Sequence, residues 1–361
     1  MKYVGIDLHK QSIVLCVVNT ARKVLERQRF LGADVAGIVA FVRTLGEFQF
    51  VVEATATYEW LVQLLEPLAA EWVLAHPGKM RVIAASTKKT DKLDAQTLAE
   101  FLALGLIPKA YRPTPRQREH RVLVRHRAQC RQRVSRLKCK LRHMAATYNA
   151  DRRDLFQEEQ LRQFQERPEL TEADRFVLGQ YVLEYREALA RHAAAAQAVK
   201  RFAATGSAGE QAQRDLLLSA PGVGPVVSEI VLAELGDVAR FTSLKQATAY
   251  AGLVPARRES AGKGKELGIT KKGSRLLRWA MVQAAWQAVR HSPRWREVYQ
   301  RLQRRRGAKR AIVAVARRLL GVLVSLLKAG TRYRASVAEL KERDVQAEQR
   351  RRARARKQAA V

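Results

Sequence analysis

Apolar and polar positions repeat with two different periods along this chain, and the change of period divides it. Lys2 to Gly5 and Ser12 to Asn19 are runs rich in Val, Ile and Leu, separated by the polar IDLHKQ. That pattern predicts an antiparallel hairpin, with a third strand over Lys23 to Leu31. From Ala33 to Thr44 the spacing of Val35, Ile38, Val39 and Val42 is helical, and Phe48 to Glu53 reads as a buried strand ending in a carboxylate. Thr57 to Glu71 reads as a helix and Trp72 to Ala75 as a short strand. A loop containing Pro77 and Gly78 leads to a further helix within Lys88 to Leu102.

Three strands, helix, strand, helix, strand, helix is the order of a ribonuclease-H-like fold, in which a meander continues into a mixed sheet flanked by helices. The period then lengthens. From about Pro115 to Ser207, Arg, Gln, Ala and Glu dominate, and Leu123, Cys130, Val134, Leu137, Leu141, Met144 and Tyr148 step by threes and fours, with Arg127 filling the one gap. This is a heptad seam. A second long helix is expected over Glu172 to Ala204, separated from the first by a charged turn near Asp151 and Pro168. Two readings fit the pair: a hairpin that spaces two domains, and an oligomerisation arm with a basic outer face. Beyond it, LLLSAPGVGPVVSEIVLAEL (Leu216 to Leu235) holds a Pro-Gly-Val-Gly turn between helical segments. It reads as a helix-hairpin-helix, whose turn amides can meet a phosphate without reading bases. The fold class expected is therefore α/β plus all-α. Residues 1–112 form the ribonuclease-H-fold domain, 113–207 a helical arm, 208–335 a mainly helical C-terminal domain and 336–361 a basic tail.

Charge adds a partner to this outline. Lys and Arg number 67 against 34 Asp and Glu, a net +33 over 361 residues. Such an excess is the electrostatic footprint of a nucleic-acid binder. No run approaches the roughly 18 apolar residues of a spanning helix, since Ala311 to Leu327 is split by Arg317 and Arg318. Asp7 and His9 stand where a signal peptide would have its apolar centre. A cytosolic protein without a membrane partner is expected. The three cysteines, Cys16, Cys130 and Cys139, have no metal-ligand spacing and form no disulfide framework.

The candidate chemistry lies in carboxylates. In KKTDKLDAQTLAEFL, Asp91 and Asp94 share a helix face at i and i+3. Acids in a first helical turn behind an N-cap such as Thr90 also have a purely structural reading. Asp7 and Glu53, at neighbouring strand positions of the expected sheet, would bring four acids together. Hard oxygen donors suit Mg²⁺, and two-metal sites hold ions about 3.5–4 Å apart for phosphoryl transfer. A second candidate is Ser260, in a Gly-containing loop with Arg257, Arg258, Lys263, Lys265, Lys271, Lys272, Arg275 and Arg278 nearby. Solvated basic loop and cationic setting for a nucleophile are both open readings.

The segments GIDLHK, VVEATATYEW, KTDKLDAQTLAEF, PGVGPVVSEIVLAELGD and AGLVP followed by ESAGKGKELGITKKGSRLLR span nearly the whole chain in one order. Together they resemble the DEDD-type insertion-sequence transposases, related to the Piv invertases and known as bridge-RNA-guided recombinases. The resemblance implies a RuvC-like N-terminal domain, a coiled-coil arm and a transposase domain with a catalytic serine. It implies that Asp7, Glu53, Asp91 and Asp94 hold Mg²⁺, expected as two ions, and that Ser260 attacks DNA. The basic residues Arg257, Arg258, Lys263, Lys265, Lys271, Lys272 and Arg275 would bind nucleic acid. Implied partners are donor and target DNA, a structured guide RNA from the same element, and further copies of the chain in a dimer or tetramer, one protomer's RuvC-like domain meeting another's serine. The setting implied is the bacterial cytoplasm, at the nucleoid during activity. Ala56 departs from the family pattern by replacing a glycine after Glu53. Two alternatives stay open: a metal-dependent junction nuclease using water, and a non-enzymatic nucleic-acid-binding protein.

Overall fold

The computed structural model describes residues 1–83, 91–260 and 263–335, with backbone alone at 81–83, 91–93, 257–260 and 263–266. The expected cap Thr90 and the tail 336–361 lie outside the described residues. The chain forms two compact units, Met1–Pro113 and Thr114–Val361.

In the first unit, β1 (Lys2–Leu8), β2 (Ser12–Val18) and β3 (Val24–Leu31) form the antiparallel meander. After helix α1 (Val35–Arg43), whose N-cap Asp34 accepts from the Gly37 amide, β4 (Phe48–Glu53) adds parallel to β1. Helix α2 (Glu59–Leu65) precedes β5 (Glu71–Ala75), parallel to β4. The sheet order is β3-β2-β1-β4-β5.

Alternation along the strands assigns its faces. Val4, Ile6, Phe50 and Val52 pack with Ile38, Val42, Leu61 and Leu65 of α1 and α2. Tyr3, Val14, Cys16 and Val18 pack on the opposite face with Ala95 and Ala99 of α4 (Asp91–Ala103), and Val51 and Val73 with its Leu98 and Leu102. A helix α3 (Pro77–Ile83) stands before α4.

The structure departs from the sequence expectation at two places in this unit. The helix expected to reach Glu71 ends at Leu65 with a short 3-10 turn over 66–68, because Pro67 has no amide to continue it and Ala69 turns extended. The loop at Pro77 is α3 instead: proline is favoured at the first helical position, and His76 Nδ1 accepts from the Lys79 amide at 3.3 Å.

In the second unit, α5 (Pro115–Thr147) starts behind Thr114, whose hydroxyl accepts from the Gln117 amide. The expected charged turn contains a short helix, α6 (Glu158–Gln165), and α7 (Glu172–Ala204) returns along α5. Val134, Leu137 and Leu141 of the expected seam are buried with Leu178, Val182 and Tyr185. Nearer its start the seam shifts by one residue, so that Val124 is buried and Leu123 half-buried, because there α5 packs against α9 and α11 as well as α7. Between these stretches Arg127 is half-buried, its pKa depressed by burial and then by Arg131. The His192 pKa is lowered by burial and by both arginines.

Helices α8 (Ala208–Leu218) and α9 (Pro225–Leu235) are joined by residues 219–224. Gly222, at φ +81°, lets this turn approach α11 (Arg275–His291): a Cβ there would stand 2.3 Å from the Ala284 carbonyl oxygen. Helix α10 (Leu244–Tyr250) leads into a small hairpin, β6 (Pro255–Ser260) and β7 (Lys263–Ile269), then α11, α12 (Pro293–Arg306) and α13 (Ala308–Ala329). The apolar core of this unit is built from α9, α10, α11 and α13, around Leu235, Met281, Leu319 and Leu323.

Ion pairs fasten α5 and α8 to α9. Arg214 donates from Nε to Glu229 at 2.8 Å, His120 Nε2 stands 2.8 Å from the other oxygen, and Arg125 grips Glu234 at 2.8 and 2.9 Å. Arg121 donates to the Ala233 and Glu234 carbonyls at the end of α9. Burial raises the Glu229 pKa, but hydrogen bonds from His120 and Arg214 outweigh it and the net shift is downward. Its contribution is therefore present above the ordinary glutamate value and is lost as pH falls through the depressed one. Glu229→Ala leaves Arg214 buried without its main partner and should cost about 3–5 kcal/mol at pH 7. Urea unfolding measures this, and a loss under about 1 kcal/mol would show that the pair is solvated.

Candidate carboxylate site and basic hairpin

Because β1 and β4 pair in parallel with Gly5 opposite Val51 and Ile6 opposite Val52, Asp7 and Glu53 follow at neighbouring positions where the two strands end. Gly5 and Val51 belong to the α4 face, so alternation puts Asp7 and Glu53 on that face too. Gly5 also sets how closely α4 approaches. A Cβ there would lie 2.0 Å from the Ala95 carbonyl oxygen and 2.5 Å from the Ala99 amide, contacts only glycine permits.

The helix runs against β1, its end near Tyr3 and Val24 through Ala103. Two residues up the strand, roughly 6.6 Å, correspond to about four residues of helix. Level with Asp7 is therefore the first turn of α4, which carries Asp91 and Asp94. Asp91 precedes Ala95 and Ala99 by one and two turns, in the row over β1 and β2. Asp94 precedes Leu98 and Leu102, in the row over β4 and β5.

Asp7 and His9 are already engaged: His9 Nε2 lies 3.0 Å from Asp7 Oδ2. Glu53 is half-buried and Asp94 exposed, while the Asp91 side chain lies outside the described ones. Among the described residues, no three His, Cys, Asp or Glu side chains form a metal-holding group. The donor chemistry of the strand ends and of the α4 turn, carboxylate oxygens without thiolates, fits a hard divalent cation.

A cleft of about 400 Å³ is lined by His9, Lys10, Gly32, Ala56, Thr57, Glu59 and Trp60. Ala56, the departure from the family pattern, thus forms cleft wall. Glu59 is held by the Arg112 guanidinium at 2.7 and 3.3 Å. The third Arg112 nitrogen takes Glu66 at 2.9 Å, and this hydrogen bond lowers the Glu66 pKa.

The expected serine loop is a two-stranded hairpin. Ser260 is the last residue of β6, in register with Lys263; Arg258 faces Lys265 and Arg257 faces Glu266. The strands pair because only residues 261 and 262 separate them, although their Arg, Lys and Gly content gives no alternating signal. The base of the hairpin is tied to α11. Gly273, at φ +79°, allows the Tyr250 carbonyl to within 1.9 Å of where a Cβ would stand, and Arg278 donates to the Ala251, Lys272 and Gly273 carbonyls at 3.0–3.2 Å. Burial, then Arg275, lowers the Arg278 pKa. Ser274 caps α11, its hydroxyl accepting from the Leu277 amide at 3.1 Å. Lys271, Lys272 and Arg275 are exposed.

Sequence reasoning passed over His9 and Arg112 in the first unit, and Arg121 and Arg125 in the second. The last two lie on the basic face of α5, where the sequence shows charge but no sign of its long-range partner in α9.

A sheet of this order, with acids on one face where its parallel strands end, defines a mixed α/β domain of the ribonuclease-H-like kind. Comparison with known proteins is consistent with that class. Residues 4–149 match a family model described as "Transposase", of the DEDD type of IS110, and residues 214–300 match one described as "Transposase IS116/IS110/IS902 family". The chain is 26% identical to a transposase for insertion sequence element IS1111A of Coxiella burnetii over 92% of each chain. It is 29% identical to a putative transposase, y4rJ, of Sinorhizobium fredii over 75% of this chain and 74% of that one. A transposase for insertion sequence element IS1328 of Yersinia enterocolitica is 38% identical over 21% of this chain and 22% of its own. The chain belongs to the IS110/IS116/IS902 family of transposases, enzymes that cleave DNA and transfer its strands. Among the described residues no helix is long and apolar enough to cross a membrane.

Proposed function

We propose that this transposase cuts and rejoins DNA through a serine intermediate, using Ser260 with the carboxylates Asp7, Glu53, Asp91 and Asp94. The observation that carries the reading is the placement of Asp7 and Glu53 side by side on the face covered by α4, whose first turn holds the other two acids. Mg²⁺, expected as two ions, is the metal suited to these oxygens; when bound it would neutralise charge on the phosphate and lower the pKa of a bound hydroxyl. Ser260 Oγ gives up its proton and attacks phosphorus, the bond to the leaving oxygen breaks, and that oxygen takes up a proton, so the step is neutral in protons overall. The phosphodiester is conserved as a phosphoserine ester, so an incoming DNA hydroxyl can reverse the step and rejoin strands without ATP. Arg258, Lys263 and Lys265, which the register of the hairpin puts on the same face as Ser260, would stabilise the charge that develops, and Arg257 adds to the basic surface of the hairpin. Lys271, Lys272 and Arg275 extend the basic surface along the DNA.

The finer architecture belongs to the same proposal. The first unit is a RuvC-like domain, α5 and α7 a coiled-coil arm through which copies assemble as dimers or tetramers, and α8–turn–α9 a helix-hairpin-helix. A guide RNA directs target choice, the acids of one protomer serve the serine of another, and the enzyme works at the bacterial nucleoid. The net +33 charge supports a polyanionic partner in addition to the DNA substrate.

Incubating the protein with Mg²⁺, its RNA and cognate DNA should yield a denaturation-resistant protein–DNA adduct. Ser260→Ala should abolish adduct and recombination together, while Ser274→Ala, a change to a helix cap costing about 1 kcal/mol, should retain both. Cleavage persisting in Ser260→Ala, with no adduct in the parent, would instead identify a nuclease that uses water.

A further inference from the structure

From Arg275 to Ala329 the chain carries fourteen arginines and lysines and a single carboxylate, Glu297. Within this stretch one face of α11 is distinctive. Arg275, Trp279, Gln283, Trp286 and Arg290 all fall within a sector of roughly 80° at 100° per residue, and all five are exposed. The opposite face, with Leu277, Met281, Ala284 and Ala288, is buried in the core. Trp279 is 48% exposed and Trp286 43%, although indoles rank among the most costly rings to leave in water. Tyr299 of α12 props Trp286 from one side, ring centroids 5.5 Å apart and planes at 56°, which holds the indole in place while leaving it open. The two indoles stand two turns apart, roughly 10.5 Å along the axis. Exposed Lys271 and Lys272 precede this face, and exposed Arg294, Arg301, Arg304, Arg305 and Arg306 extend the charge along α12.

We infer that this face of α11 is a binding site for unpaired nucleotides, whose bases stack on Trp279 and Trp286 while the flanking arginines hold the backbone. The partner must supply both negative charge and flat aromatic faces. A paired duplex shows its phosphates and base edges but keeps its base faces stacked inside, whereas a strand with unpaired bases presents both. An acidic protein surface would match the arginines but would not account for two exposed rings set two turns apart on a helix face devoid of carboxylates. The site deepens the nucleic-acid reading above, with which it shares Lys271, Lys272 and Arg275, and rests on it, but it uses neither the carboxylates nor Ser260.

Binding of ten-nucleotide deoxythymidine and uridine oligomers to the full chain tests the site, with a blunt, fully paired ten-base-pair duplex as the third arm. Bound oligomer should quench tryptophan fluorescence. The pair Trp279→Ala and Trp286→Ala should weaken unpaired-strand binding by about ten-fold per ring, with little change in duplex binding and in the slope of log affinity on log salt, since no phosphate contact is removed. The pair Trp279→Phe and Trp286→Phe should keep most of the affinity and lose the quenching, a result a merely structural role would not give. Should the alanine pair also lower the thermal midpoint, the phenylalanine pair decides alone. Comparison of the deoxythymidine and uridine arms says whether DNA or RNA is the preferred source. Parental affinity in the alanine pair, equal weakening toward duplex, or loss of self-association in place of strand binding would each overturn the site. Oligomer binding is read without cleavage, so its outcome stands whether or not Ser260 is the nucleophile.

Discussion

Replacing Glu53 by Gln or Asp7 by Asn should reduce DNA strand cleavage by at least about a thousand-fold, because each substitution removes a charge worth several kcal/mol to a metal-assisted phosphoryl transfer. Both substitutions keep the size of the side chain at a strand end, so fold and DNA retention should hold. Asp94→Asn on the first turn of α4 should act in the same direction. Glu26→Gln, on the exposed strand β3, provides the control and should cleave as the parent does. Parental cleavage in any two of the Asp7, Glu53 and Asp94 variants with Mg²⁺ present would remove the carboxylates from the mechanism.

Gly5→Ala is expected to be nearly as damaging although it touches no charge. Its Cβ would meet backbone atoms of α4, the Ala95 carbonyl oxygen at 2.0 Å and the Ala99 amide at 2.5 Å, so no side-chain rotation can relieve the clash and the helix must move. Overpacking of this kind costs typically about 1–3 kcal/mol. The catalytic effect should be larger in proportion, because a displacement on the order of 1 Å of groups that must act together costs about a hundred-fold in rate. Asp91 and Asp94 ride on the displaced turn while Asp7 and Glu53 stay with the strands. A modest fall in the thermal midpoint with a hundred-fold loss of cleavage is the expected signature. Unchanged cleavage in a destabilised protein would separate α4 from the site.

The residues that were legible in the sequence are those whose neighbours are local or whose pattern is periodic. Glu53 could be placed because the run FQFVVE is apolar up to its last residue, and the order of elements then paired β4 with β1 and set Asp7 beside it. The limits of α7, Glu172–Ala204, agree with the sequence reading because its caps and its composition change at the same points. Where composition and conformation part, the reading failed. RRES and KGKELGI have the polarity of a loop, yet they pair as β6 and β7 through backbone hydrogen bonds that polarity does not report. Pro77 suggested a break and instead begins α3. The grip of Arg121 and Arg125 on the end of α9 joins residues more than a hundred positions apart, and nothing in either segment alone announces its partner. The first-turn acids of α4 could be paired with one another from their spacing, but their level with Asp7 depends on the close approach at Gly5, which only the packed structure reveals.

In the proposed mechanism the strand-end acids and the first turn of α4 hold a divalent cation together. Manganese binding to the free protein, followed by electron paramagnetic resonance of unbound Mn²⁺, tests it without requiring the RNA, the DNA target or an active serine. The parent should bind Mn²⁺ saturably and Mg²⁺ should compete. Glu53→Gln and Asp94→Asn should each weaken binding by ten-fold or more, and Glu26→Gln should leave it unchanged. Binding in the Asp7→Asn, Glu53→Gln double variant that matches the parent would contradict the claim.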